Sequence, residues 1–336
     1  MTWPQWAAPP QKPWTRTIAG LSAISLLLLG VGTAFVPHPA SVPHPTTLGP
    51  LPHGGESAYC GARAVSEEVP VTVVVSRPVV RTAPYWVSTE EIAGDLRGRH
   101  PAHPKLALWL RMLGHTGVRT RPWIAPLAET GARTGVGDRS RAAYEGARPL
   151  AVDAARESLR GAGLAPGDVD CLVTTHTTSW TVPGLDVDLI RLLGLRPDVS
   201  RVGFATVACA GGAHALVQAA RFVRAHPGSR VLVVAAEALS TLYHPRTLTL
   251  QTVLYGGLFG DAGGAAVVSE AGGDAEAGPL EVAGTWEFVL PDSQDAYWGV
   301  IDEAGLFFDS GPDAKKAAGR VLPHPLLHPG RYGVLS

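Results

Sequence analysis

At 336 residues the chain has material for one large domain or two ordinary ones, with a sizeable core in either case. A formal net charge of −1 and 17% charged residues leave no basic footprint for nucleic acid, and 46% hydrophobic residues suit central strands covered on both faces. Three cysteines (Cys60, Cys171 and Cys209) make no disulfide framework and fit a reducing, cytoplasmic setting.

In chain order, the first 68 residues stand apart from the rest. Lys12 and Arg16 precede an uncharged apolar run, Ile18 to Val36, and a Pro/His/Gly-rich stretch follows that reads as an extended linker. The run is just long enough to span a membrane, and its basic flank suits an N-in anchor. Membrane anchoring is therefore one expectation for it, and a leader outside the fold is the other.

From Val71 the pattern alternates. "VTVVV" (Val71 to Val75) predicts a strand, and "STEEIAGDL", with Ser88 three residues before Glu91, predicts a helix opened by a capping box. Leu150, Ala154, Ala155 and Leu159 fall on one face of a further helix. "VDCLVTT" (Val169 to Thr175) reads as a strand and "LDVDLIRLLGL" as a helix. Ala213, Leu216, Val217, Ala220 and Val223 then form a helical stripe, followed by the buried strands "VLVVAA" (Val231 to Ala236) and "GGAAVV" (Gly263 to Val268). Strands alternating with helices predict a layered α/β fold rich in βαβ units.

Chemistry concentrates at "VACAGGAHAL", Val207 to Leu216. The strand-like "RVGFATVA" delivers Cys209 to a helix N-terminus, where free N–H groups and the dipole favour a thiolate. Gly211 and Gly212 allow the close backbone approach that a nucleophile turn needs. A small cysteine filling a core is the other reading, and spacing alone leaves both open. "LFGDAGGAAVV", Leu258 to Val268, is no phosphate loop, because its glycines lead into an apolar strand and no Lys-Ser/Thr pair follows.

Together with "ACAGG" and "VLVVAAEALS", that segment resembles the thiolase superfamily, whose members carry acyl groups on a cysteine. More narrowly it is similar to the type III polyketide synthases, the chalcone synthase-like family. "WLRMLGHTGVRTR", "TTSWTVPGLDVDL", "FVLPDSQDAYWG" and "EAGLFF" match that family in its own order, so the resemblance runs from about Val71 to about Pro312. The "VPGLD" and "VLPDS" patterns set it apart from β-ketoacyl-carrier-protein synthase III, the alternative within the superfamily.

The resemblance implies a thiolase-like layered αβαβα fold of two pseudo-repeats, assembled as a homodimer. It implies a leader over 1–68, an N-terminal domain over 69–272 holding the complete first repeat, and an incomplete second repeat over 273–336. It implies an acyltransferase using acyl-CoA and malonyl-CoA, with no cofactor or metal. Cys209 would be the nucleophile, and Phe259 and Phe308 the aromatics gating the CoA tunnel. Gly299, Thr177 and Thr178 would shape the cavity, and Val182 would reach into a partner's cavity. Arg111 would bind CoA phosphate, with Leu108 and His115 standing where the family has lysines.

One part of the pattern is broken. The family's catalytic histidine and asparagine lie in C-terminal H-P-G-G and G-N motifs, and this chain reaches Ser336 before such a region would be complete. It contains no asparagine, and His328-Pro329-Gly330 echoes the first motif too soon after "LPDS". The expectation is a truncated synthase impaired in malonyl condensation, or a non-catalytic subunit pairing with an intact one.

Overall fold

The computed structural model describes residues 71–272, 280–285, 287, 289–312, 314 and 316, together with the backbone of 33–37. In chain order the strands are β1 (Thr33–Pro37), β2 (Val73–Val75), β3 (Val79–Thr82), β4 (Tyr85–Ser88), β5 (Thr120–Trp123), β6 (Cys171–Thr175), β7 (Ser200–Phe204), β8 (Arg230–Ala238), β9 (Asp261–Glu270), β10 (Leu280–Thr285), β11 (Tyr297–Asp302) and β12 (Gly305–Ser310). The helices are α1 (Thr89–Arg99), α2 (Leu106–Gly114), α3 (Leu127–Ala132), α4 (Val136–Gly161), α5 (Leu185–Leu193), α6 (Gly211–Ala225) and α7 (Leu250–Leu258).

One mixed sheet runs in the order β1-β10-β2-β9-β8-β6-β7. β6 is parallel to both β7 and β8, and the other pairs in that order are antiparallel. β2 and β3 lie along successive stretches of β9 and are separated at Pro78, which has no N–H to give a ladder. The crossover β6-α5-β7 moves outward along the sheet, and β7-α6-β8 returns across β6. Reversing direction with constant crossover handedness puts α5 and α6 on opposite faces.

The packing bears this out. α4 and α5 cover one face through Ala147, Ala151, Ala154, Leu185 and Leu189, against Leu172, Leu232, Val234 and Val267. α6 covers the other through Ala215, Ala219, Ala220 and Val223, against Cys171, Val173, Val231, Val233 and Val268. Alternate residues of β6 and β8 thus serve opposite layers, as the two-residue strand period requires. Each fully buried Val or Leu contributes about 1.5–3 kcal/mol. A third cluster joins α1, α2 and α7 around Trp123 and Tyr243.

The predicted elements are present, and one is longer than expected. The helix read from Leu150 begins at Val136 and carries Pro149 within it. Ser88 and Glu91 make the expected capping box, with the Glu91 N–H donating to Ser88 Oγ at 3.1 Å and the Ser88 N–H to Glu91 Oε2 at 2.7 Å. Cys171 is buried in β6, and burial pushes its thiol up to about 11. Cys60 and His328 lie outside the described residues, as does the apolar run up to Gly32. The run's last four residues join β1. Among the described residues, no helix is long and apolar enough to cross a membrane.

The β11–β12 hairpin is clamped by His244, whose ring stacks on Phe307 at 3.9 Å and whose Nε2–H donates to the Leu306 carbonyl at 2.9 Å. Burial, reinforced by Arg139, lowers its pKa to about 4; the Leu306 bond and Asp302 pull the other way. An unfolded histidine protonates near 6.5, so the unfolded chain takes up the proton first. Stability from this site is therefore intact above about pH 6.5 and falls progressively toward pH 4, by up to about 3 kcal/mol. His244→Gln should be less stable than the parent at pH 7 and lose much of that disadvantage at pH 4.5. Denaturant melts of both proteins at the two pH values check this.

Candidate active site

The three parallel strands end together, and their following loops converge on one spot, as expected outside the carboxyl ends of parallel strands. β6 continues into His176-Thr177-Thr178, β7 into the Cys209 turn, and β8 ends with Glu237 and Ala238.

The turn from β7 passes through a short 3₁₀ segment, Ala208–Ala210, directly into α6. Ala208 holds φ at +43°, a conformation that costs a residue with a side chain free energy and is often found beside reactive groups. Two residues after the thiol, a Cβ on Gly211 would run into the Thr175 side chain at the end of β6. Glycine is thus required for the turn to seat against the sheet. Cys209 itself is exposed.

Glu237 is the electrostatic centre of the site. Its carboxylate accepts the Thr177 N–H at 2.7 Å, the Thr178 N–H at 3.0 Å and the Thr178 hydroxyl at 2.9 Å. The Thr178 hydroxyl oxygen in turn accepts the Ala238 N–H at 3.1 Å. Burial still wins over these donors and over nearby His176, so the Glu237 pKa lies above the usual carboxylate range. His176 must carry its proton on Nδ1, which donates to the Ala236 carbonyl at 2.6 Å, leaving Nε2 for the Ser179 hydroxyl at 2.6 Å.

The thiol feels this arrangement. Lost hydration and then the Glu237 charge raise the Cys209 pKa, with only its own backbone N–H opposing them. No neighbouring cation offsets the rise among the described residues. The geometry therefore presents an exposed cysteine on a helix N-terminus while its surroundings raise its pKa.

The remaining expected residues are spread over the fold. Thr177 and Thr178 are buried beside the turn through their hold on Glu237. Phe259 ends α7, stacks on Tyr255 and gives its carbonyl to the Trp123 indole N–H at 3.1 Å. Gly299 and Phe308 are cross-strand partners in the hairpin, and a Cβ on Gly299 would sit 3.0 Å from the Phe308 ring. Val182 is fully exposed beside Trp180, itself 60% exposed. Arg111 lies in the last turn of α2, exposed beside the equally exposed Leu108 and His115, and its side chain makes no ion pair among the described residues.

Sequence reading passed over Glu237, His176 and Ser179. A signal existed for Glu237: a lone carboxylate ending the apolar run "VLVVAA" needs buried donors. Among the described residues, no His/Cys/Asp/Glu cluster suits a metal ion.

The fold and this turn define an α/β protein with an exposed cysteine at the carboxyl ends of parallel strands. Residues 125–273 match the family described as chalcone and stilbene synthases, N-terminal domain. The 1,3,6,8-tetrahydroxynaphthalene synthase of Streptomyces coelicolor is 32% identical over 69% of this chain and 61% of its own length. The germicidin synthase of the same species, a type III polyketide synthase, superposes with a TM-score of 0.70 at 30% identity, covering 75% of this chain and 73% of that one. The solved tetrahydroxynaphthalene synthase gives a TM-score of 0.72 at 28% identity over 77% of this chain and 74% of that one. The chain belongs to the type III polyketide synthase family and has its thiolase-like fold. It spans 61% of the length of the tetrahydroxynaphthalene synthases of Streptomyces griseus and Streptomyces coelicolor.

Glu237→Gln should remove one of the two causes that raise the thiol pKa. The pH profile of iodoacetamide alkylation, read at the Cys209 peptide, is expected to shift to lower pH. An unmoved or upward-shifted profile in a folded variant would contradict the electrostatic account.

Proposed function

We propose that this chain is an acyltransferase of the type III polyketide synthase kind, with Cys209 as the residue that carries the acyl group. The observation supporting this most directly is the strained, glycine-seated turn that presents Cys209 at the start of α6. In the loading step the Cys209 thiolate attacks the acyl-CoA carbonyl carbon, a new carbon–sulfur bond forms, and coenzyme A leaves as a thiolate that takes a proton. In extension, malonyl-CoA loses carbon dioxide, and the resulting enolate attacks the Cys209 thioester. The carbon–carbon bond forms as the Cys209 thiolate departs.

In this reading Phe259 and Phe308 gate the approach to the sulfur, and Gly299, Thr177 and Thr178 set the cavity beside it. Arg111 meets the CoA phosphates, since a guanidinium suits phosphate, and Val182 projects into a second subunit of a dimer. The exposure of Arg111 and Val182 is consistent with both roles. The segments 1–68, 69–272 and 273–336 keep their proposed division into leader, nucleophile-bearing domain and partial second domain. The end of the family match at residue 273 supports the second boundary.

Loading and extension make different demands. Extension needs a cation beside the thiol and donors for the enolate oxygen, and loss of one such donor typically costs about 10²–10³ in rate. The Cys209 pKa is raised rather than lowered, which favours a second reading in which the chain loads slowly and extends poorly.

Intact-protein mass spectrometry after incubation with hexanoyl-CoA should show one acyl adduct that Cys209→Ala abolishes. Added malonyl-CoA should give little product from this chain alone. An adduct or polyketide release surviving Cys209→Ala would overturn the assignment.

A further inference from the structure

The loop after β6 sets a hydroxyl against a base. His176 Nδ1 lies 2.6 Å from the Ala236 carbonyl, which can only accept, so the ring proton sits there and Nε2 carries a lone pair. The Ser179 hydroxyl donates to that lone pair at 2.6 Å. Glu237 Oε2 lies 3.8 Å from Nδ1, so an imidazolium formed by proton transfer would face a carboxylate. Both neighbours of Ser179 are pinned. Thr178 is held by Glu237 through its N–H and hydroxyl, and the Trp180 N–H donates to Ser140 Oγ at 3.0 Å. A hydroxyl on an oriented imidazole, with an acid behind the ring, is the arrangement that activates a serine.

Ser179 and His176 are buried, and an open cavity of about 470 Å³ lies against their surroundings. Trp180 and Thr181 line it from the loop, and Ser140 and Tyr144 from α4. The Thr181 hydroxyl is 3.5 Å from Ser179 Oγ, and the Tyr144 ring stands edge-on to the His176 ring with centroids 6.2 Å apart. Asp188 accepts the Tyr144 hydroxyl at 3.0 Å and the Arg148 guanidinium lies 5.7 Å from its ring centroid, so that wall is fixed. We propose that Ser179 is a second nucleophile, activated by His176, that takes the acyl group of small aryl esters seated between Trp180 and Tyr144. Ser179 Oγ attacks the ester carbonyl carbon and gives its proton to His176 Nε2. The bond from that carbon to the aryl oxygen breaks, and the departing phenolate takes the proton from His176. Water then attacks the acyl-serine, its proton passes through His176 to Ser179 Oγ, and the free acid leaves. None of these steps rests on the reading of Cys209.

The test uses 4-nitrophenyl acetate on the full chain, with acetylation read at the Ser179 peptide after acid quench and turnover read as released 4-nitrophenolate. The parent should be acetylated at Ser179, and Cys209→Ala should keep that adduct. Adding Ser179→Ala to the Cys209→Ala chain should bring phenolate release down to the level of buffer alone. His176→Asn keeps a donor for the Ala236 carbonyl but has no base at the Nε2 position, and should slow Ser179 acetylation at least about a hundredfold. Trp180→Ala, at an exposed side chain, should slow it about tenfold. A folded parent with no Ser179 adduct overturns the proposal, as does an adduct that disappears in Cys209→Ala. So does a folded His176→Asn chain acetylated within about twofold of the parent rate. An unchanged rate in Trp180→Ala overturns the aryl seat.

Discussion

A carboxylate with no exposure to solvent holds this structure together. Asp261 opens β9, and its two oxygens accept the Ser240 N–H at 2.6 Å and the Ile124 N–H at 2.7 Å. Those donors belong to the segment leaving β8 and to the segment between β5 and α3, so one side chain fixes three parts of the chain. Burial raises its pKa to about 7, with the nearby Glu237 charge adding to the rise and the backbone donors opposing it. A buried carboxylate is costly unless its lone pairs are taken. Here the donors come from backbone that the fold must place there, so the cost is met only when β8, β9 and the approach to α3 are together.

The candidate site inherits its geometry from that anchor. Asp261 is the cross-strand partner of Ala238, the residue after Glu237, so the register of β8 on β9 also sets where Glu237 meets the loop after β6. Two residues before Asp261, the Phe259 carbonyl is held by Trp123, which fixes the end of α7 and the Tyr255–Phe259 stack. The acidic centre and the Tyr255–Phe259 stack are thereby mounted on one frame. Electrostatically the frame opposes the thiolate: Glu237 adds negative potential, and the described residues bring no cation to balance it. The helix N-terminus favours the anion, and the surroundings outweigh it.

Much of this was legible in the residues alone. The capping box at Ser88, the buried strand ending in Thr175, the helical stripe after Cys209 and the apolar strand after Gly263 follow from local periodicity, and each is present in the fold. The full length of α4 was not legible, because its first two turns carry Gly137, Arg139, Ser140 and Arg141. Arg139 is buried there, and its guanidinium donates to the Thr241 and Tyr243 carbonyls more than a hundred positions away. No window along the chain contains that pairing.

The sequence by itself determined the alternation of strands and helices, the glycine that Cys209 requires two residues on, and the family to which the chain belongs. These depend on neighbours within a turn or two, or on motifs in fixed order. Only the tertiary structure decided that the buried Glu237 acts on the thiol, that the thiol's pKa rises, and that Asp261 ties three distant segments together. Each of these is a distance between residues that strand pairing brings together from far apart in the chain, and electrostatic and steric effects act through that distance.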